Sequence, residues 1–322
     1  MLNLPPLKSI YNIEPDNLNY PDQIALIQPS INDCNNFLNK NYFLECLKNA
    51  LINLRRSYHQ NPFAYLIELA NYAQLKNFNF NNYEEILNAV NTYPSKFNYP
   101  LVSYKGGDCY DMAYLLKVQL LKKYNINSQI IGSFQIEPET LSPSQKAFLE
   151  FDHTCLLCTI CEGNTYKVYY LDPGFVIKQP MELKIGEKMF GMGQYTITDI
   201  DSESFITKFI SPSGRSLYRK FFFKPINVLK VFQNKKKLIR IKRNMPLISA
   251  LNSQGEEFWM RFIYSRSKFN SDISGLPWEF TLSDLNLNQI SLLQKVYYSE
   301  IFEDLKRFQS IYKQLPNFFW KV

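Results

Sequence analysis

Three residues of this chain have the types and placement for nucleophilic chemistry: a cysteine at a helix start, a histidine opening a strand, and an aspartate closing the next strand. The cysteine is Cys109, within YKGGDCYDMAYLLKVQLLKKY, residues 104–124. Gly106 and Gly107 permit backbone angles closed to other residues. Asp108 is a good N-cap, and Asp111 three positions later gives the box-like pattern of a helix start. Cys109 then falls in the first turn, where unpaired backbone N–H groups and the positive end of the helix dipole favour a thiolate. The same N–H groups are placed to hold an oxyanion during acyl transfer. The competing reading is an ordinary buried cysteine, for cysteine is among the most buried residue types.

Only two histidines are present. His59 ends a run with helical spacing and reads as a C-terminal helix residue. His153 opens the segment DHTCLLC, and the following segment TYKVYYL runs into Asp172. A hairpin about Glu162-Gly163-Asn164 brings His153 and Asp172 to the same open end, nearly opposite one another. Cross-strand neighbours stand about 5 Å apart, within reach of a carboxylate–imidazole contact. Helix-start cysteine, strand histidine and strand-end aspartate are a nucleophile, a base and the group that orients the base.

The elements that must position them fall into three stretches. Residues 1–128 read as mainly helical: Phe43, Leu47, Leu51 and Leu54 share a helix face, further helices are expected from Asn61-Pro62 and from Asn81-Asn82, and a fourth follows Cys109. In that fourth helix Ala113, Leu116, Leu120 and Leu121 face inward, with Lys117, Lys122 and Lys123 toward water. Residues 129–245 change period. SQIIGSFQI, DHTCLLCTIC, TYKVYYLD, QYTITDID, SLYRKFFFK and NVLKVF are short, rich in β-branched and aromatic residues, and separated by turn signals. Six such segments predict an antiparallel barrel or sandwich. Residues 246–322 mix a strand-like EEFWMRFIYS with helices near 282–314, an α/β segment that carries the apolar bulk of Phe258, Trp259, Phe262 and Tyr264. The fold class is α+β.

Composition agrees with a folded protein: 46% hydrophobic and 16% aromatic over 322 residues. A net charge of +7 is modest at this length and does not call for nucleic acid. The first nine residues lack a basic stretch followed by an apolar one, and no run approaches the ~18 apolar residues of a membrane span. Six cysteines do not make a disulfide scaffold in so long a chain, so the expected location is cytoplasmic.

Two other motifs compete for attention. Cys155, Cys158 and Cys161 resemble metal-ligand spacing, but in a strand Cys158 points away from the other two, so no metal site is expected. Lys235, Lys236 and Lys237 look like a solvated hairpin tip; the functional alternative is contact with the phosphates of a coenzyme-A thioester or with an acidic carrier protein.

The runs KGGDCYDMAYLL, DHTCLL and YLDPGF together resemble the arylamine N-acetyltransferases, whose pattern has two glycines, a variable residue and the catalytic cysteine, then a strand histidine and a D-x-G-F element. Lys105 stands where that family has arginine, Asp111 and Ala113 where it has glutamate and asparagine, and Val176 where a glycine follows the phenylalanine. The resemblance implies a helical, β-barrel and α/β order, with Cys109, His153 and Asp172 as triad and Gly107, Tyr110, Gly174 and Phe175 binding substrate. It also implies ping-pong transfer from acetyl-CoA or another acyl thioester to an amine, with no tightly bound cofactor, and a donor cleft near Phe175 that Phe258, Trp259, Phe262 and Tyr264 would cover. The wider transglutaminase-like superfamily shares the GDCxDxAxLL pattern. An amidase, deamidase or protease using the same triad is therefore the alternative, and a non-catalytic interaction protein with that core is a second.

Overall fold

The computed structural model describes residues 39–57, 59–60, 106–139, 142–162, 165–174, 178–190, 193–211, 214–228, 230–231, 247–251, 257–263, 266–296 and 299–311. In chain order the first elements are α1 (Lys40–Ser57), β1 (His59–Gln60), β2 (Gly106–Gly107) and α2 (Cys109–Tyr124). There follow β3 (Gln129–Glu137), α3 (Pro143–Phe148), β4 (His153–Glu162), β5 (Thr165–Leu171), β6 (Met181–Glu182), β7 (Lys188–Phe190), β8 (Gln194–Ile200), β9 (Ser204–Ile210) and β10 (Ser216–Pro225). The last are β11 (Leu247–Leu251), β12 (Glu257–Ile263), β13 (Lys268–Ser271), β14 (Glu279–Phe280), α4 (Leu287–Val296) and α5 (Ser299–Ile311).

The chain divides into two compact units. The first holds α1, α2 from Ala113 onward, and an eight-stranded sheet in the order β6-β5-β4-β3-β10-β9-β8-β7. Every pairing in this sheet is antiparallel. Its two edge strands, β6 and β7, are joined by only residues 183–187. Laid flat at about 4.8 Å per strand the edges would be ~34 Å apart, beyond the ~21 Å that such a connection can reach. The sheet must therefore curl into a nearly closed barrel, one of the two architectures expected of residues 129–245. Within the short connection Leu183 N–H donates to Val168 O of β5 at 2.7 Å, and Gly186 N–H to Ile197 O of β8 at 2.8 Å. The interior holds Ile131, Cys155, Leu157, Tyr170, Ile197, Phe205 and Phe221. Phe205 and Phe221 stack at 4.8 Å, and Tyr170 meets both edge-on.

Strand β4 is buried on both faces because helix packs on its outer side. In α1 the buried apolar set is Phe43, Cys46, Leu47, Ala50, Leu51 and Leu54, a helical stripe. Asn39 caps this helix through its Oδ1 and the Asn41 and Tyr42 N–H groups. Phe43 lies 6.0 Å from the Tyr169 ring on β5, cross-strand partner of Cys158.

The second unit is built on a six-stranded sheet in the order β14-β13-β12-β11-β1-β2. It packs Met260, Phe262, Phe269, Phe280, Leu293, Phe302, Leu305 and Phe308 into one core, with the α5 residues three apart along one face.

Four local expectations are corrected. His59 does not end a helix: α1 stops at Ser57 and His59 pairs in parallel with Gly106. Lys117 does not face water. It is buried, and its Nζ donates to the Ser128 carbonyl, which the aliphatic stem reaches through apolar surroundings. NVLKVF is not the expected strand, for Val228, Lys230 and Val231 are helical and the Val231 N–H donates to Asn227 O four residues back. A short apolar run does not separate the two conformations. Phe262 lies in its own unit's core and Phe258 packs against that core, so neither is free to cover a cleft. Tyr264, the helices expected at 61–73 and 82–94, and the Gly163-Asn164 turn lie outside the described residues. Among the described residues no helix is long and apolar enough to cross a membrane.

Candidate active site

The helix start at Cys109 is built as its sequence implies. Asp108 Oδ1 accepts the Tyr110 N–H at 3.0 Å and the Asp111 N–H at 3.3 Å, and Asp111 Oδ2 accepts the Asp108 N–H at 3.0 Å. The Met112 N–H donates to Asp108 O at 3.0 Å, making Asp108 the cap and Cys109 the first helical residue. Gly106 and Gly107, just upstream, form β2 and pair with His59 and Gln60 of β1. Strand β1 in turn pairs Gln60 with Ser249 of β11. The approach to Cys109 is thus held by backbone from three distant parts of the chain.

This capping revises one expectation. The Tyr110 and Asp111 N–H groups already bind the Asp108 carboxylate, so they are not open to an oxyanion. Cys109 is half-buried, whereas Cys46, Cys155 and Cys158 are buried thiols. Burial pushes the Cys158 thiol up to about 12 and raises that of Cys46 as well. Cys161 is disulfide-bonded, in a chain whose cysteines were expected to be reduced. Among the described residues no group of three or more His, Cys, Asp or Glu is placed to hold a metal.

The histidine and aspartate meet in the first unit. His153 Nε2 lies 2.7 Å from Asp172 Oδ2, with the imidazole buried and the carboxylate wholly so. The register explains why. Leu156 pairs with Leu171, so Asp172, one residue beyond β5, comes level with Cys155 and lies diagonal to His153 on the same face. Asp172 Oδ1 accepts the Gly174 N–H at 3.0 Å, and Oδ2 accepts the Tyr170 hydroxyl at 2.6 Å. A carboxylate that only accepts needs a donor from the ring, which puts the imidazole proton on Nε2 and leaves Nδ1 the acceptor nitrogen. Burial lowers the His153 pKa below its ordinary 6.5, against the opposing pull of Asp172, so the ring is neutral at neutral pH. Phe221 stands edge-on to it at 6.4 Å.

Three neighbours carry no signal in the sequence. Tyr170 reads as one more aromatic strand residue, yet its hydroxyl bonds Asp172. Asp152 and Arg219 form a buried ion pair, with Arg219 Nη1 also donating to Ser133 Oγ at 3.1 Å. Ser133 is the β3 partner of His153, and the Asp152 N–H donates to the Ser133 carbonyl at 2.9 Å. The pair therefore braces the backbone on both sides of the imidazole. Of the residues expected to touch substrate, Gly107 lies in β2, Tyr110 is fully buried at the helix start, and the Gly174 N–H donates to Asp172. Phe175, Lys235, Lys236 and Lys237 lie outside the described residues.

The fold is that of arylamine N-acetyltransferases of known structure. An enzyme of that kind from M. smegmatis aligns with TM-score 0.53 and 13% identity over 83% of this chain and 91% of its own. One from Mycobacterium marinum, solved in complex with CoA, aligns with TM-score 0.53 and 10% identity over 84% of this chain and 93% of its own. A second M. marinum structure gives TM-score 0.52 and 12% identity over the same shares. No protein-family description matches the chain. No curated protein matches it by sequence.

Proposed function

We propose that this chain is a cysteine-dependent N-acyltransferase that moves an acyl group from a coenzyme-A thioester to an amine. The observation that carries this reading is the buried His153–Asp172 pair, with the imidazole Nε2 2.7 Å from Asp172 Oδ2. In the proposed cycle Nδ1 takes the Cys109 proton and Sγ attacks the thioester carbonyl. The tetrahedral oxyanion collapses, the carbon–sulfur bond to coenzyme A breaks, and the leaving thiolate recovers the proton from His153. An amine then attacks the acyl-cysteine, gives its proton to His153, and Sγ departs with the electron pair of its bond. Donors other than the Tyr110 and Asp111 N–H groups stabilise the oxyanion, since Asp108 occupies those two. Lys235, Lys236 and Lys237 would meet the phosphates of the donor. The fold likeness to arylamine N-acetyltransferases, one of them in complex with CoA, supports this donor class.

Intact-protein mass spectrometry after exposure to a panel of acyl-coenzyme-A thioesters tests the reading. A single acyl adduct is expected, mapped to Cys109, absent from Cys109→Ala and discharged by added amine. An adduct on Cys46, Cys155 or Cys158 that survives Cys109→Ala would overturn it. So would turnover of peptide or glutamine amides without turnover of any thioester.

A further inference from the structure

On the two oxygens of Asp172 converge the His153 ring, the Tyr170 hydroxyl and the Gly174 N–H. One oxygen, Oδ2, is shared between the His153 ring at 2.7 Å and the Tyr170 hydroxyl at 2.6 Å. Tyr170 is not near the imidazole by accident of packing alone. It is 1% exposed, wedged edge-on against Phe205 and Phe221, and two residues before Asp172 on the same face of the barrel wall. A phenylalanine would fill the same space. The hydroxyl is needed only for the carboxylate.

We propose that Tyr170 is a positioning residue, whose hydroxyl draws charge from Asp172 Oδ2 and so sets the basicity of the His153 ring that shares this oxygen. A carboxylate engaged by a second strong donor holds an imidazolium less tightly. The imidazole then stays neutral, and a base, to lower pH. Without the hydroxyl the full carboxylate charge acts on the ring and favours its protonated form. The other groups acting on His153 are Arg219, which opposes protonation, and Asp152, which favours it. Those acting on Tyr170 besides Asp172 are Cys155 and Tyr195. Arg219 and Asp152 are bonded to one another, and their effects on the ring oppose each other. Burial and the neighbouring carboxylate both keep the phenol protonated, hence a donor, through the range in which histidine titrates.

The test is a titration of the full-length protein by nitrogen-15 NMR. With two histidines, substituting His59 assigns both rings. Tyr170→Phe is expected to raise the His153 pKa by about half a unit or more, with the proton still on Nε2 below saturation. Site-specific 3-fluorotyrosine at 170, a stronger donor with almost the same shape, moves it the other way. In an Asp172→Asn background the Tyr170→Phe shift disappears, because its route to the ring is gone. Unchanged His153 titration in both the phenylalanine and fluorotyrosine proteins overturns the proposal, and so does a downward shift in Tyr170→Phe. The activity arm rests on the acyl-transfer reading: the acid limb of Cys109 acylation moves up in Tyr170→Phe by the same amount. Because the titration needs no substrate, absence of any acylation would count against that reading while leaving the Tyr170 proposal to be decided by the spectra.

Discussion

The two sheets carry very different interiors. Behind β11–β14 the core is Met260, Phe262, Phe269, Phe280 and side chains of α4 and α5, and among the described residues the buried polar side chains of that sheet, Asn270 and Ser271, are neutral. The barrel encloses a comparable aromatic cluster, yet it also buries Asp152, Arg219, His153 and Asp172. Apolar contacts are non-directional, so the first kind of core is specified by volume and pattern. Buried charges are tolerated only when each finds its partner, so the second kind depends on particular pairings. Chemistry needs the second kind, because a buried carboxylate can hold a ring in one tautomer and an apolar wall cannot.

Substitutions can break that contrast, and the largest effect is expected at Asp172. Asp172→Asn removes the acceptor that keeps the proton on Nε2, and single-turnover acylation should fall roughly 10³- to 10⁴-fold. A fall of less than about tenfold would mean that the tautomer is set elsewhere. Next comes the ion pair. Arg219→Met strands the Asp152 carboxylate and should cost about 3–5 kcal/mol in urea unfolding. The double variant Arg219→Met with Asp152→Leu should lose less than the single one, since no charge is left unpaired. Equal losses would show that the pair acts through shape alone.

In the apolar core a volume-conserving change should pass almost unnoticed. Met260→Leu, at a fully buried position, should cost about 1 kcal/mol or less by thermal unfolding and leave the His153 spectrum unmoved. The smallest effect is a pH dependence. The folded His153 pKa is lowered from 6.5, so the unfolded chain binds more protons in the window just below that value. The resulting stability is full above about pH 6.5 and is lost as the pH falls through the folded pKa. His153→Gln should flatten that part of the profile. A wild-type profile already flat there would contradict a neutral buried ring.

Removing residues 246–322 sharpens the comparison differently. Strand β11 pairs with β1, and β1 with the Gly106–Gly107 strand two residues before Cys109. The truncation should therefore reduce iodoacetamide labelling of Cys109 relative to the full chain, instead of merely uncovering the thiol. Undiminished labelling would show that the capping box alone holds the helix start.

What the sequence determined by itself was local. A capping box is written in Asp108 and Asp111 and needs nothing beyond four residues, so the first helical position of Cys109 was legible. Strand alternation is equally local, which separated Cys158 from Cys155 and brought His153 and Asp172 to one end of a hairpin. The N-terminal stripe of α1 was readable for the same reason. Tertiary structure decided the rest. Arg219 and Asp152 are 67 residues apart, and the β1–β2–β11 pairing joins segments with no shared pattern of their own. Lys117 carries the sign of a surface residue and ends on a carbonyl that only the fold brings near. Tyr170 was visible as a strand aromatic, but its hydroxyl acquired a role only when the register of β4 on β5 set it beside the oxygen that His153 also uses. Periodicity is a property of neighbours along the chain; which donor meets which acceptor is a property of register between strands, and that is decided when the barrel closes.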